Sequence, residues 1–253
     1  MGKVSVPVSS DEHHFDVAIL QPGYLPWLGY FDLVAMADVF VLYDDVQFDK
    51  GGWRNRNRVL SGGEPLWLTV PIVQRFPQLI TEVRIASKDW QAVHLRSIVQ
   101  NYGKAPFFEE VFPHLEAYLS GRRYELLLDL CTEGHKLFTR LLGLATKTCL
   151  SSELGVDKAG RTERLVAICQ KFQATRYISP DAAKAYMVPD LWSKAGIELA
   201  YQQYPHPKYP QFSGEFVSHL SVVDAMMFAG PEKVRTWLGI SHPKRRQASH
   251  AGL

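Results

Sequence analysis

The chain has 253 residues, 46% of them hydrophobic and 21% charged, and a net charge of +2. That balance excludes a low-complexity or collagen-like chain and argues against bulk nucleic-acid binding, for which a strongly basic domain is expected. No apolar run approaches the eighteen or so residues that a membrane helix needs, and MGKVSVPVSSDEHHF lacks the apolar core of a secretory signal.

In chain order, residues 1–14 read as a disordered tail. Phe15–Leu20 and Val39–Tyr43 are continuous apolar runs followed by turn signals, as in strands buried on both faces, with a helix over Leu28–Ala37 between them. Leu66–Val73 and Glu82–Ile85 read as further strands. Trp90–Asn101, Phe108–Leu119 and Tyr124–Leu142 carry apolar residues at helical steps. A helix over Arg161–Phe172, a strand over Thr175–Ile178, a helical turn at Asp181–Tyr186 and a strand over Ile197–Gln202 follow. Helices over Val217–Phe228 and Pro231–Leu238 complete the folded part, and 241–253 is a basic disordered tail. The pattern is that of one α/β domain over 15–240: a mostly parallel, three-layer (Rossmann/HUP-like) sheet with a helical insertion at about 89–145. In such sheets ligands lie beyond the carboxyl ends of the strands, here Gln21-Pro22, Asp44-Asp45, Ser179-Pro180 and Tyr204–Gln211.

Cys131, Cys149 and Cys169 are widely spaced in helical-looking stretches, with no CxxC pair and no zinc spacing. They read as small buried hydrophobes of a reduced, cytoplasmic protein, and no metal site is expected.

The chemistry concentrates in Ala18–Arg58. QPGYLPWLGYF follows a strand and enters a helix, so its N–H groups can face an anion, or it can be a tight aromatic connection. Asp44 and Asp45 end an apolar strand, with Gln47 just beyond. Adjacent carboxylates point to opposite sides. One of them can bind an amine or hydroxyl, orient a base or help ligate magnesium; the alternative is a turn-initiating Asp.

In WRNRNR an extended backbone puts Arg54, Arg56 and Arg58 on one face and Trp53, Asn55 and Asn57 on the other. Arginine forks suit phosphate or carboxylate, and asparagines can read sugar hydroxyls or backbone groups. The alternative is a solvated edge strand. Lys104, after a helix, can close over a phosphate or simply favour the helix end. Three prolines in YPHPKYPQFSGE make a rigid loop that holds His206, Tyr209, Gln211 and Glu215, and His206 is the histidine best placed for proton transfer.

At QPGYLPWLGYFD, DVFVLYDDVQFDKGGWRNRNR, LWLTVPI, NYGKAPFF, SSELGV…TERL and HPKYPQFSGEFVSHLSVVDAMMFAGPE the chain resembles the WbqC-like family. The resemblance runs from about Ala18 to Leu238. That family is associated with O-antigen and other polysaccharide clusters, and a glycine (aminoacyl) transferase role is proposed for it. Where the family usually reads HQPxYLPWLGY, this chain has Leu20 for the histidine and Gly23 after Gln21-Pro22. The matching polar positions are Gln21, Tyr24, Trp27, Asp44, Asp45, Gln47, Trp53–Asn57, Lys104, His206, Tyr209, Gln211 and Glu215. A looser likeness, at fold level, is to nucleotidylyltransferase-type folds, with turn 21–30 and loop 151–162 in comparable places.

The resemblance implies a group transferase that forms an amide. It would move a glycyl (aminoacyl or acyl) group from an activated donor to an amino sugar or similar small acceptor. ATP with magnesium, or a donor on an acyl or peptidyl carrier protein or a tRNA, would supply the activation. Arg54, Arg56 and Lys104 would hold phosphate or carboxylate, Asp44 or Asp45 the acceptor amine, and His206 would move the proton. The alternative is a non-catalytic nucleotide-sugar or carrier-binding module; a single-strand nucleic-acid binder stacking bases on Trp27 and Trp53 fits the charge least. Aromatics in 24–31 can serve a pocket or a homodimer.

Overall fold

A computed structural model describes residues 14–86, 89–157, 160–212 and 214–239. The tails expected at 1–14 and 241–253 lie outside the described residues, His14 excepted. The elements, in chain order, are β1 (Asp16–Leu20), α1 (Leu28–Met36), β2 (Val39–Leu42), β3 (Arg56–Ser61) and β4 (Glu64–Thr69). Three helices follow, α2 (Trp90–Tyr102), α3 (Phe108–Ser120) and α4 (Leu127–Leu141), and then β5 (Lys147–Leu150), α5 (Arg161–Lys171) and β6 (Arg176–Ser179). The last elements are α6 (Pro189–Lys194), β7 (Glu198–Tyr201), α7 (Val222–Ala229) and α8 (Pro231–Trp237).

Five strands form one parallel sheet in the order β5-β2-β1-β6-β7. Counted among themselves the strands run 3-2-1-4-5, so the strand order reverses between β1 and β6. A crevice opens at the carboxyl side of such a switch point. Side chains alternate between the two faces as a strand requires. Ala18, Phe40 and Ile178 join the core shared with α1, α7, the hairpin and the inserted helices. Val17, Ile19, Val41 and Tyr177 face α5 and α6. On that side the Tyr177 ring stacks on Trp192 at 4.4 Å. The amino ends of β1 and β6 are locked by the fully buried Asp16, which accepts from Arg176 Nε (2.7 Å) and Nη2 (2.9 Å). The result is the three-layer α/β architecture expected from the alternation of strands and helices.

Several boundaries differ from the sequence expectation. β5 was not expected: KTCL is short, half polar and at the sheet edge, and it moves Cys149 from a helix to a strand. The strand anticipated at Leu66–Val73 begins earlier, because Gly62 and Gly63, at φ +57° and +89°, turn β3 back into the antiparallel partner β4. Glu82–Ile85 is not a strand; a single 3-10 turn over Ile80–Glu82 leads into isolated bridges at Arg84 and Ile85. The helix anticipated at Val217 begins only at Val222, where the Ser221 hydroxyl accepts from the Val223 N–H.

The roof over the sheet is held by one buried carboxylate. Asp224 on α7 accepts from the Tyr102 hydroxyl of α2 (3.0 Å), the Tyr209 hydroxyl (3.0 Å) and Gln211 Nε2 (2.9 Å). Tyr102 in turn accepts from the Leu60 N–H of β3, and Gln211 Oε1 from the Val217 N–H. Burial pushes the Asp224 carboxyl up to about 6, against the opposing effect of these three donors. Because its folded pKa lies above the unfolded value, the native state binds the extra proton between about pH 4 and 6, and this group's contribution to stability falls as pH rises through that window. Urea denaturation of wild type and Asp224→Asn at pH 4.5 and 7.5 should show wild type losing about 2 kcal/mol relative to the variant on going to the higher pH. Asp224→Ala, which strands two hydroxyls and an amide, should cost about 3 kcal/mol at pH 7.5 and about 2 kcal/mol more at pH 4.5, where wild type still holds the extra proton.

Candidate functional site

Two cavities open at the carboxyl ends of β1, β2 and β6, one of about 600 Å³ and one of about 310 Å³. Leu20, Gln21 and Pro180 line both, so the two form one cleft with a waist at the switch point of the sheet.

The larger chamber is the more polar of the two. It is lined by Gln21, Tyr43, Gln47, Asp49, Arg161 and Arg164 among others. Arg164 is committed: it donates to the carboxylate and the carbonyl of Asp45 and to the Val156 carbonyl, with its guanidinium 5.2 Å from the Tyr43 ring. Arg161 lies over the Tyr186 ring at 4.7 Å and has no ion pair among the described residues. It begins α5, whose N-cap is Gly160 with no side-chain cap. The Glu163 carboxylate of the first turn folds back against Gly160, so it is the Arg161 guanidinium, without an ion pair among the described residues, that suits an anion at this end of the chamber.

The smaller chamber is aromatic. Trp27, Tyr30, Trp53, Arg54, Gln202 and His219 contribute to its wall. Arg54 Nη1 donates to the Gln21 carbonyl, and its Nε lies 3.4 Å from the half-exposed Asp49 carboxylate without hydrogen-bond geometry. Burial lowers the Arg54 pKa, which Asp49 opposes. Gln202 is fixed by Nε2 donating to the Gly29 carbonyl and the Asp32 carboxylate, both at 2.8 Å.

The sequence candidates fall into three groups. Gln21, Gln47, Trp27, Trp53 and Arg54 line the cleft. A second group builds its walls. Asp44 is fully buried and accepts from the Ser151 hydroxyl (2.9 Å), the Ser152 hydroxyl (2.7 Å) and the Ser152 N–H (3.0 Å). Its carboxylate binds the turn after β5 and is closed to an acceptor. Asp45 meets the Arg164 guanidinium and shares the Ser151 hydroxyl with Asp44, so the two carboxylates converge on one serine instead of facing opposite sides. Tyr24 is buried with its hydroxyl 2.9 Å from His94 Nδ1. Asn55 Nδ2 donates to the Val70 carbonyl. Asn57, at the edge of the aromatic chamber, donates to the Leu25 carbonyl at 2.8 Å. Leu25 has φ +44°, so Asn57 holds a strained turn closed.

The third group lies away from both chambers. Asn55 and Asn57 are buried and the arginines half-buried, as the alternation requires, but the strand begins only at Arg56, after a bend. Trp53, expected on the asparagine face, is exposed and packs on Trp67 and Arg58 of the arginine side. Arg56 and Arg58, however, relieve their charges by stacking over Trp67 and Trp53 instead of meeting anions. Lys104 occupies an exposed turn after α2. Glu215 borders a shallow groove beside Gly62-Gly63. Tyr209 and Gln211 serve Asp224. His206 lines neither chamber: Nδ1 lies 2.9 Å from the Pro207 carbonyl, Nε2 accepts from the His219 N–H at 3.2 Å, and burial lowers its pKa. Of the aromatics proposed for a dimer surface, Tyr24, Tyr30 and Phe31 are buried and Trp27 is half-buried in the wall of the smaller chamber.

Sequence reasoning did not single out Tyr43, Arg161, Arg164, Tyr186, Gln202 or His219. Their partners lie up to 173 residues away; Tyr43, Arg164 and His219 fall inside the quoted family motifs without a chemical pattern of their own, and Arg161, Tyr186 and Gln202 fall outside them. Among the described residues no group of three or more His, Cys, Asp or Glu is placed to hold a metal, and no helix is long and apolar enough to cross a membrane.

Residues 21–236 match the WbqC-like protein family. The chain is also similar to the uncharacterized protein Rv1507c of Mycobacterium tuberculosis, at 34% identity over 219 residues, covering 85% of this chain and 94% of that protein. No solved structure matches it.

The Asp44 clamp and the Asp45–Arg164 pair separate in a stability measurement. Asp44→Ala removes the acceptor of the Ser152 hydroxyl and N–H and one of the two acceptors of the buried Ser151 hydroxyl, and should cost about 2 kcal/mol in urea denaturation. Asp45→Ala, at a part-exposed pair, should cost about 1 kcal/mol while loosening Arg164 in the chamber wall.

Proposed function

The chain belongs to the WbqC-like protein family, and we propose that it is a group transferase forming an amide, moving a glycyl (aminoacyl or acyl) group from an activated donor to an amino group of a sugar or similar small molecule. The observation that carries this reading is the pair of unlike chambers joined at Gln21. A bimolecular transfer needs two ligands held with their reacting atoms in contact, and a waist between an anion-suited and an aromatic chamber provides for that.

In this reading the donor's phosphate or carboxylate meets the Arg161 guanidinium, which lies over Tyr186 in the wall of the larger chamber. The role first given to Arg56 and Lys104 passes to this residue. The acceptor sits in the aromatic chamber between Trp27 and Trp53, whose faces suit the apolar side of a sugar ring, with Arg54 at the waist. No serine, threonine or cysteine lines either chamber among the described residues. The thiols of Cys131 and Cys169 are buried, and burial pushes Cys131 up to about 12. Direct attack of the acceptor amine on the donor acyl carbon therefore fits better than a covalent acyl-enzyme. Positioning and desolvation would supply the catalysis.

The same lack of a nucleophile favours one other reading, a nucleotide-sugar or carrier-binding module without chemistry. Turnover separates the two. Calorimetry and thermal shifts against ATP with magnesium, nucleotide sugars, glucosamine and carrier-bound glycine come first, because a ligand that binds only the native state raises its midpoint by mass action. Arg161→Ala should weaken the anionic donor about tenfold and leave glucosamine unaffected, and Trp53→Ala should do the reverse. Incubating the bound donor with glucosamine should then give the N-acylated sugar by mass spectrometry. Tight binding of both ligands without product would leave the binding module; no stabilisation by any of them would remove both readings.

A further inference from the structure

His219 is the one non-glycine residue of the cleft wall with a left-handed backbone, at φ +58°. Side chains rarely adopt that conformation, and it persists only where the surroundings impose it. Here both backbone groups are pinned. Its N–H donates to His206 Nε2 at 3.2 Å, and its carbonyl accepts from Arg58 Nη2 at 3.1 Å. Arg58 itself packs on Trp53 of the same chamber. The side chain is fixed as well: the imidazole stacks on the Trp27 indole at 5.2 Å and 28°, and Nδ1 lies 2.7 Å from Ser218 Oγ. Nε2 has no hydrogen-bond partner among the described residues. Thus an exposed imidazole is oriented in the acceptor chamber by four separate contacts and keeps one nitrogen unused. His206, the histidine indicated by loop context, spends both of its nitrogens and supplies one of those contacts. The strand-to-helix loop is held in place from below by the Asp224 cluster.

We propose that His219 Nε2 is the amine-recognising base of this chamber: it accepts a hydrogen bond, and then a proton, from the ammonium group of an amino sugar stacked beside Trp27. The proposal rests on the transferase reading for its chemistry, though not for its binding. With Nδ1–H donating to Ser218 Oγ, Nε2 carries the lone pair. It removes one proton from the acceptor ammonium. The freed nitrogen lone pair forms the C–N bond to the acyl carbon of the donor, an adenylate or a thioester. The bond to the leaving oxygen or sulfur breaks with its electron pair, and the second nitrogen proton goes to solvent. Imidazolium then releases its proton to solvent and the cycle closes. His206 at 5.0 Å, the Arg58 guanidinium on the His219 carbonyl and Arg54 across the chamber are the titratable or charged neighbours of the ring.

The left-handed backbone makes a clean test possible, since glycine and asparagine accept that conformation readily. In the full-length protein, diethylpyrocarbonate should modify His219 faster than His94, His135 or His206, as read by peptide mass spectrometry. Glucosamine should slow that modification and glucose should not. Equal rates for the four histidines, or no protection by glucosamine, overturns the proposal whether or not the protein is a transferase. His219→Gly and His219→Asn should keep a thermal midpoint close to that of wild type. With glycyl thioester and glucosamine they should lose about 10²–10⁴-fold in transfer, and added imidazole should restore part of that loss to the glycine variant. Full transfer by His219→Gly overturns the base role. If wild type gives no transfer, the transferase reading fails by itself, and the protection experiment still decides whether His219 binds the amine.

Discussion

A carboxylate shut away from water has to be given donors, and the way Asp44 obtains them shapes the polar half of the cleft. It sits two residues past the last strand residue of β2, and its three donors all belong to Ser151 and Ser152, in the turn after the edge strand β5. That bond set closes the sheet edge over the chamber. It fixes the backbone so that the next carboxylate, Asp45, meets Arg164 on α5. Arg164 then lies against Tyr43, and the first turn of α5, with Arg161, is delivered to the chamber mouth. One desolvated group thus sets the position of a helix end that comes more than a hundred residues later in the chain.

The sheet was legible because its middle strands are continuous apolar runs: VAIL and VFVL admit no reading but a doubly buried strand, and the turns that follow mark the crevice. The edge strand β5 was not, since an edge needs only one good face and KTCL shows no period. The hairpin was half legible. The alternation of WRNRNR separated the arginines from the buried asparagines but put Trp53 on the wrong face, and the spacing of arginines cannot tell an anion partner from a tryptophan face. Arg56 and Arg58 found the latter because Trp67 comes from the opposite strand.

The candidate site divides in the same way. Residues close in sequence to the strand ends, such as Gln21, Gln47 and Arg54, could be placed in the cleft from the fold class alone. Residues delivered by loops far along the chain could not. His206 and His219 lie in one loop and differ in role only through backbone detail: one ring is used up by the Pro207 carbonyl and the His219 N–H, the other is turned by a positive φ into the chamber. No composition or spacing encodes that difference. The buried His94 and His135, both pushed down to about 4 by desolvation and paired with tyrosine hydroxyls, are core residues for the same reason that they are poor bases.

The path of the chain through the sheet also bears on how the protein is made. Val39 of β2 pairs with Lys147 of β5, and everything between them, including the hairpin that carries Trp53 and Arg54 and the helices α2–α4, stands outside the sheet. Contacts so distant in sequence form late, because the entropy of closing the intervening loop must be met first. The nascent chain can pair β1 with β2 early but must wait for β5 until the hairpin and α2–α4 have been synthesised. Sheet completion and cleft assembly are therefore a single late event, and a chain that has not built its binding surface has not finished folding.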